Sequence, residues 1–362
     1  MADPELLPPA PGTPIVVGMS GGVDSSVAAL LLKEAGWEPI GVTLWLRDVP
    51  EPPGAADARA VAERIGIRHE TVDARELFRE KVVDAFVREH WRLRTPNPCV
   101  FCNRDIKWDA LLEWGASRGA EHVATGHYAR VAPIAGTDLL ARAGDPSKDQ
   151  SYFLWRIDPA RLRRARFPLR GVGKDETRAL AARAGLPVAE KKDSQDICFL
   201  PDGAREELLR RRGAELGLSL EPGPIFAPDG KRVGTHGGLP LYTRGQRQGL
   251  GVAVGERVWA KEIDPAGNAI RLSGREGLFG KSFLADGALW HADLSHPDFR
   301  GKRPTAQLRY RSAEIPCEIE ELGEGRLRVE LDEPAWAITP GQSAVFRVDG
   351  FVVGGAYVAE PL

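Results

Sequence analysis

The chain has 362 residues, enough for two or three domains that each bury a core, and its net charge of −2 leaves any nucleic-acid surface to be local. No apolar run approaches the ~18 residues of a membrane span, and MADPELLPPAPGT has neither the basic nor the apolar stretch of a signal peptide. Four cysteines (Cys99, Cys102, Cys198, Cys317) do not make a secreted disulfide framework, so a cytoplasmic protein is expected, in which a working cysteine is redox, catalytic or metal-binding.

Residues 1–13 are rich in proline and read as a loose tail. Ile15, Val16 and Val17 then form a short buried strand that breaks into Ser20-Gly21-Gly22-Val23-Asp24-Ser25-Ser26, and the amphipathic run VAALLLKEAG follows at once. A strand, a glycine turn and a helix start aim free N–H groups and a positive dipole end at an anion. Gly21 and Gly22 admit positive φ, and Asp24 and Ser25 are N-cap types that can equally face a phosphate. The turn lacks both the Lys of a Walker loop and a G-x-G-x-x-G fingerprint. SGGVDSS instead resembles the pyrophosphate loop of the PP-loop ATPases, which split ATP between its α and β phosphates.

Residues 38–46 (EPIGVTLWL) read as a second strand, AADARAVAERIG as a helix ending at Gly66, 67–72 as a third strand, and 74–91 as a long helix. This alternation predicts a parallel sheet with helices on both faces and ligands beyond the strands' carboxyl ends. Prolines in TPNPCVFCN (95–103) force a loop, after which Asn103 is placed to cap the next helix. That would set Cys102 beside a helix N-terminus, where the dipole favours thiolate. The C-x-x-C lacks the second pair of a zinc site. HVATG (122–126) is a further strand, delivering Gly126 and His127 to its carboxyl end. AGDPSKDQSYFL (143–154) is a polar loop before an aromatic pair. Residues 156–183 carry nine Arg or Lys against three Asp or Glu, which suits either a solvated face or a polyanion surface. KKDSQDICF (191–199) is a second cysteine loop. Beyond a short helix at 204–212, glycine and proline become dense and short alternating strands predict antiparallel sheet that closes as a barrel.

GMSGGVDSS, NPCVFCN, TGHYAR, KDQSYFL and SQDICF occur in the order found in the bacterial tRNA-specific 2-thiouridylases, the MnmA family of the PP-loop superfamily. GTHGGLPLYTRGQRQGLG, RYR and AITPGQSAVF extend the likeness through the carboxyl half. The resemblance implies an α/β PP-loop ATP-binding catalytic domain at 14–204, a small central domain at 205–274 and a C-terminal antiparallel β-barrel domain at 275–362. It implies a sulfurtransferase that adenylates O2 of the wobble uridine (U34) in tRNAs for Lys, Glu and Gln and replaces that oxygen with sulfur. Gly18, Met19, Ser20, Gly21, Gly22, Val23, Asp24 and Ser25 would hold ATP, with Mg²⁺ on its phosphates, while Leu44 and Gly126 would touch the nucleotide. Cys198 would carry a persulfide received from a sulfur-relay protein or cysteine desulfurase. Cys102 would release the sulfur as nucleophile, closing a Cys102–Cys198 disulfide. Asn97, Pro98 and Cys99 would meet the target base, and His127, Lys148, Asp149, Gln150, Arg309, Tyr310 and Gln342 the rest of the tRNA. The GTHGGLPLYTRGQRQGLG stretch would be a platform near RNA.

The family commonly has Asp where this chain has Cys99. With Cys102 and Cys198 this offers three thiolates, and an iron–sulfur cluster is the alternative to the disulfide scheme. The pair Cys102–Cys198 suffices without metal, so a metal-free enzyme is the favoured expectation. Two rival functions share part of the pattern. Another PP-loop ligase, such as an amidotransferase-coupled synthetase, has no need of two loop cysteines, and a non-catalytic RNA-binding protein has no need of an intact SGGVDSS.

Overall fold

The computed structural model describes residues 6–192, 197–201 and 203–362. Of the second cysteine loop, residues 193–196 therefore lie outside the described residues. The expected α/β core is present. β1 (Pro14–Gly18), α1 (Val23–Glu34), β2 (Glu38–Trp45), α2 (Ala55–Ile65), β3 (Arg68–Asp73) and β4 (His122–Thr125) follow in turn. A hairpin comes next, β5 (Arg130–Ile134) and β6 (Thr137–Ala141), and then β7 (Ala165–Arg166). The sheet order is β3-β2-β1-β4-β7 with parallel pairing throughout. Helices cover both faces, so Ile15, Val16 and Val17 are wholly buried, which is why β1 is apolar at every central position. The chain leaves β1 toward β2 on one side and reaches β4 on the other. A crevice therefore opens beyond the carboxyl ends of β1 and β4.

Two helical stretches, 75–91 and 98–116, stand over that crevice, and each contains a π-helical turn (Arg79–Asp84 and Asn103–Trp108). They pack on one another through Phe78, Val82, Phe101, Cys102 and Ile106.

The central unit contains β8 (Gly223–Phe226), β9 (Arg232–His236), β10 (Trp259–Asp264) and β11 (Ala269–Ser273), ordered β10-β11-β8-β9. The last unit is antiparallel: β12 (Phe279–Trp290), β13 (Thr305–Gln307), β14 (Ile315–Gly323), β15 (Arg326–Trp336), β16 (Ser343–Val348) and β17 (Phe351–Pro361). It closes as a barrel because β12 pairs with both β15 and β17. Closure leaves no open edge among those strands.

Three features depart from the sequence reading. The β5–β6 hairpin, within the catalytic segment of the chain, joins the barrel's sheet by pairing Ala141 with Phe351. A buried polar network fastens the same two units. Arg347, 1 % exposed, pairs with Glu314 at 2.9 Å and Asp149 at 3.7 Å and donates to Ser151 Oγ and Gln307 Oε1. Finally, the tail is tethered from Leu6 onward. The buried indole of Trp37 needs an acceptor and finds the Leu6 carbonyl at 2.6 Å. Among the described residues no helix is long and apolar enough to cross a membrane.

Candidate active site

The glycine turn is shaped by close backbone approaches that only glycine permits. Gly21 has φ +71°, and a Cβ there would lie 2.1 Å from the Gly54 carbonyl oxygen, so the loop before α2 presses directly on the turn. Gly126 follows β4, whose Thr125 is in register with Gly18 of β1. A Cβ on Gly126 would stand 2.6 Å from the Ser25 nitrogen. The TGHYAR turn thus rests on the first turn of α1 and completes one wall of the crevice.

Within the turn, Ser25 Oγ accepts from the Ser20 amide at 3.1 Å and lies 3.3 Å from Ser20 Oγ. Met19 and Val23 bury their side chains in the core and can offer a ligand only backbone. No side chain caps α1, whose N-cap is Gly22, so the dipole end is left to a ligand. Asp24 accepts from Tyr128 Oη at 2.7 Å and from Lys174 Nζ at 2.7 and 2.9 Å. Lys191 Nζ donates to the Gly21 carbonyl at 2.9 Å and pairs with Asp57. Two lysines therefore brace the loop. Lys191 stands beside the cysteine loop in sequence, whereas Lys174 is brought in from a distant helix with no local signal.

The first cysteine loop corrects one expectation. Asn97, not Asn103, is the N-cap: its Oδ1 accepts from the Cys99 amide at 3.1 Å, and Pro98 occupies the first helical position. Asn103 is buried inside the helix and donates to the Phe153 carbonyl at 3.0 Å. Cys102 consequently sits more than a turn into the helix, beyond the reach of the dipole. Burial pushes its thiol up to about 12, opposed by the charge of Lys107. Cys99, at the second helical position and half-buried, is raised by burial as well.

Cys198 is exposed at the residue's surface, yet the protein around its thiol still raises its pKa by burial, against the charges of Lys107 and Arg47. Its neighbour Phe199 packs into the same apolar cluster as Cys102 and Leu44. The charge of Cys198 is felt at both Cys99 and Cys102. Both cysteine loops thus converge at the carboxyl end of β2, beside the crevice. All four cysteines are free. Among the described residues, which include every cysteine, no three His, Cys, Asp or Glu are grouped to hold a metal ion. Cys317 is remote, in the barrel core, with its Sγ 3.6 Å from the Pro304 carbonyl.

Lys107 belongs to none of the sequence motifs. Its charge acts on all three thiols and on His127. His127, hydrogen-bonded to Thr125 Oγ1 at 2.8 Å, is held well below the usual imidazole range by burial and by Lys107.

The residues expected at tRNA fall into two groups. Asn97, Pro98 and Cys99 form the helix start, and Gln342 Nε2 donates to the Thr95 carbonyl just before it. Arg309 lies 4.8 Å over the Trp336 ring, and Tyr310 packs 4.4 Å from Phe153. Asp149 and Gln150 are drawn inward instead. Asp149 caps its own loop at Ala143 and Ser151, and Gln150 Oε1 accepts from the Tyr128 amide. Lys148 is half-buried between them and solvent. In the basic stretch, Arg161 pairs with Asp109, and Arg164 donates to the Glu121 carbonyl at 2.6 Å, while Arg163 is exposed.

Comparison with known proteins agrees with this architecture. The family profile described as tRNA methyl transferase HUP domain matches residues 13–202, a PRC-barrel domain profile matches 215–273, and an aminomethyltransferase beta-barrel domain profile matches 281–358. A tRNA-specific 2-thiouridylase MnmA of Pelotomaculum thermopropionicum is 40% identical over 362 aligned residues, covering 96% of this chain and 97% of the relative. Its counterpart in Moorella thermoacetica is 43% identical, covering 95% and 98%. A solved 4-thiouridine synthetase–RNA complex with bound ATP is a distant likeness, with TM-score 0.37 and 19% identity over 57% of this chain and 51% of that one. On the strength of the two near-full-length relatives, the chain belongs to the tRNA-specific 2-thiouridylase MnmA family.

Proposed function

We propose that this protein is an ATP-dependent tRNA sulfurtransferase that converts the wobble uridine of tRNAs for Lys, Glu and Gln to 2-thiouridine. The observation that carries the reading is the convergence of the two cysteine loops at the carboxyl end of β2, Phe199 and Cys102 sharing one cluster with Leu44, beside the strand β1 that ends in the glycine turn. A uridine carbonyl oxygen leaves only once activated. In the proposed sequence O2 attacks the α-phosphate of ATP and diphosphate departs. Backbone N–H groups of residues 20–25 and the α1 dipole hold the phosphates, and Leu44 provides an apolar contact for the adenine. Mg²⁺ would accompany the phosphates and neutralise their charge. The loop's own carboxylate, Asp24, is already engaged by Lys174 and Tyr128.

Sulfur arrives as a persulfide on exposed Cys198, donated by a relay protein or cysteine desulfurase. In one order, its terminal sulfur attacks C2 and AMP leaves with the former O2. The Cys102 thiolate then attacks the Cys198 sulfur, the S–S bond to the nucleoside breaks, and 2-thiouridine is released with a Cys102–Cys198 disulfide. In the other order, Cys102 attacks the persulfide first and frees hydrosulfide to attack C2. Either order ends in the same disulfide, and two electrons from an external thiol reductant reset it. The target base must leave the anticodon stack to reach the Asn97–Cys99 turn. Mass spectrometry of the wobble nucleoside after incubation of tRNA with enzyme, ATP, a cysteine desulfurase with cysteine as persulfide donor, and a thiol reductant tests the reading. An added mass corresponding to sulfur-for-oxygen exchange is expected, and unmodified uridine with ATP intact would reject it.

A further inference from the structure

The sulfur transfer set out above employs Cys102 and Cys198 and gives Cys99 no chemical task. The three thiols differ in access: Cys198 is exposed, Cys99 half-buried, and Cys102 buried at 7 % exposure. When the transfer is complete, the Cys102 sulfur is bonded to Cys198, and a thiol arriving from solution can reach only the Cys198 end. Attack there leaves the reductant bonded to Cys198, the residue that has to be empty to accept the next persulfide. A thiol within the protein escapes this conflict. It can reach the enclosed Cys102 sulfur, expel Cys198, and act at the high effective concentration of a neighbouring group.

Cys99 stands where such a thiol is needed. It precedes Cys102 by three residues on the helix Pro98–Cys102, and residues three apart share a helix face. Helix geometry sets their Cα atoms about 5 Å apart, inside the ~4.4–6.8 Å range of disulfides. Their Cβ atoms, about 5–6 Å apart on an α-helix, have to close to about 4 Å. The turn already leans toward that tighter form. The Val100 amide donates to the Asn97 carbonyl at 3.1 Å, and the Asn103 amide reaches the Val100 carbonyl as well as that of Cys99. Bonds across three residues are of the 3₁₀ kind, in which side chains three apart eclipse. Pro98 brings no N–H that further tightening would strand. Cys198 comes to the same place, since Phe199 packs with Cys102 in one apolar cluster. Charge on Cys198 acts on Cys99 and Cys102 alike, and charge on Cys99 acts on Cys102.

We propose that Cys99 is the resolving thiol of this enzyme: it attacks the Cys102 sulfur of the Cys102–Cys198 disulfide and frees Cys198 for the next persulfide. The inference rests on the thiolation reading above. In the exchange the Cys99 thiol loses its proton and its sulfur bonds to Cys102. The Cys102–Cys198 bond breaks, and Cys198 leaves as a thiolate that takes up a proton. Cys99 is oxidised and Cys198 reduced, so no electron enters at this step. The external thiol reductant then delivers its two electrons to the Cys99–Cys102 disulfide through half-buried Cys99. Sulfur enters through one loop and reducing equivalents through the other.

The test starts from the reduced full-length protein and one equivalent of an aromatic disulfide, which loads exposed Cys198 with a good leaving thiol in place of a persulfide. Samples are quenched in acid at intervals, alkylated and mapped by mass spectrometry. A Cys102–Cys198 bond should form first and then give way to Cys99–Cys102 with Cys198 alkylated. A Cys102–Cys198 bond that persists while Cys99 is alkylated would overturn the proposal, as would Cys99–Cys102 formed equally fast in Cys198→Ser. Turnover gives a second readout. With persulfide donor in excess and dithiol limiting, the ratio of later turnovers to the first should fall about tenfold in Cys99→Ser relative to wild type, and excess dithiol should restore it. An unchanged ratio would reject the resolving role. If Cys99→Ser does not fold, the wild-type time course decides alone. Wild-type protein that forms no 2-thiouridine yet passes the bond from Cys198 to Cys99 would reject the thiolation reading and leave the exchange standing.

Discussion

At the scale of single residues, the proposed sulfur transfer draws thiolate from cysteines whose pKa burial raises. With Cys102 pushed up to about 12, its thiolate fraction at pH 7 is on the order of 10⁻⁵. Single-turnover sulfur release should therefore rise roughly tenfold per unit between pH 7 and pH 9, because each unit multiplies the thiolate tenfold below the pKa. A flat profile in rapid-quench experiments would refute this. Lys107 is the charge opposing burial at all three thiols, so Lys107→Met should slow release at pH 7 and move the same profile to higher pH. A slower rate with an unmoved profile would mean that Lys107 acts only in packing. Cys198→Ser and Cys102→Ser should each abolish turnover. Cys317→Ser should leave it nearly intact, since that thiol is enclosed in the barrel core.

At the scale of elements, the turn after β4 and the turn after β1 act as one unit. Gly126→Ala would place a methyl 2.6 Å from the Ser25 nitrogen, so the backbone at the start of α1 has to shift to admit it. The variant should fold with circular dichroism close to wild type and bind ATP at least about tenfold more weakly, an energetic change of ~1.4 kcal/mol. Unchanged affinity by calorimetry would dissociate Gly126 from the nucleotide site. How much of this is legible in sequence follows from the range of the interactions. The strand–glycine turn–helix pattern is local, so Pro14–Ser26 announces its shape, and the run HVATG sets Gly126 at a strand end. The cap of the cysteine helix differs from the sequence reading although its signal is present: Pro98 suits the first helical position and marks Asn97 before it. The β5–β6 hairpin cannot be assigned to the barrel from sequence, because its pairing with Phe351 spans more than two hundred residues and nothing in 130–141 encodes the partner. For the same reason Asp149 reads only as part of a polar loop, although Arg347 recruits it into the buried network.

At the scale of the whole molecule, stability depends on polar groups buried where the units meet. Arg347→Met would leave Glu314 with Arg142 as its remaining cation and Asp149 with only neutral donors, a loss toward the lower end of the ~3–5 kcal/mol for breaking a buried pair, read as a lower midpoint in urea unfolding. Acid acts on another such group. His90 is 2 % exposed, lies against Phe86 with ring centroids 4.4 Å apart, and holds the Phe86 carbonyl through Nδ1 at 2.9 Å. Burial lowers its pKa to about 4, and the nearby charge of Arg205 acts in the same direction. An unfolded histidine titrates near 6.5, so between that value and about 4 the unfolded chain binds a proton that the folded chain refuses. Stability therefore falls as the pH falls through this window, by about 2 kcal/mol from His90 alone on going from pH 7 to pH 5. His127 and His291, both lowered by burial, add in the same sense. Glutamine retains an N–H donor but does not titrate, so His90→Gln should lose about 2 kcal/mol less than wild type over the same interval. Urea unfolding of both proteins at pH 7 and pH 5 measures the difference. Identical losses would show that His90 stays accessible to protons in the folded state and would remove it from the acid response.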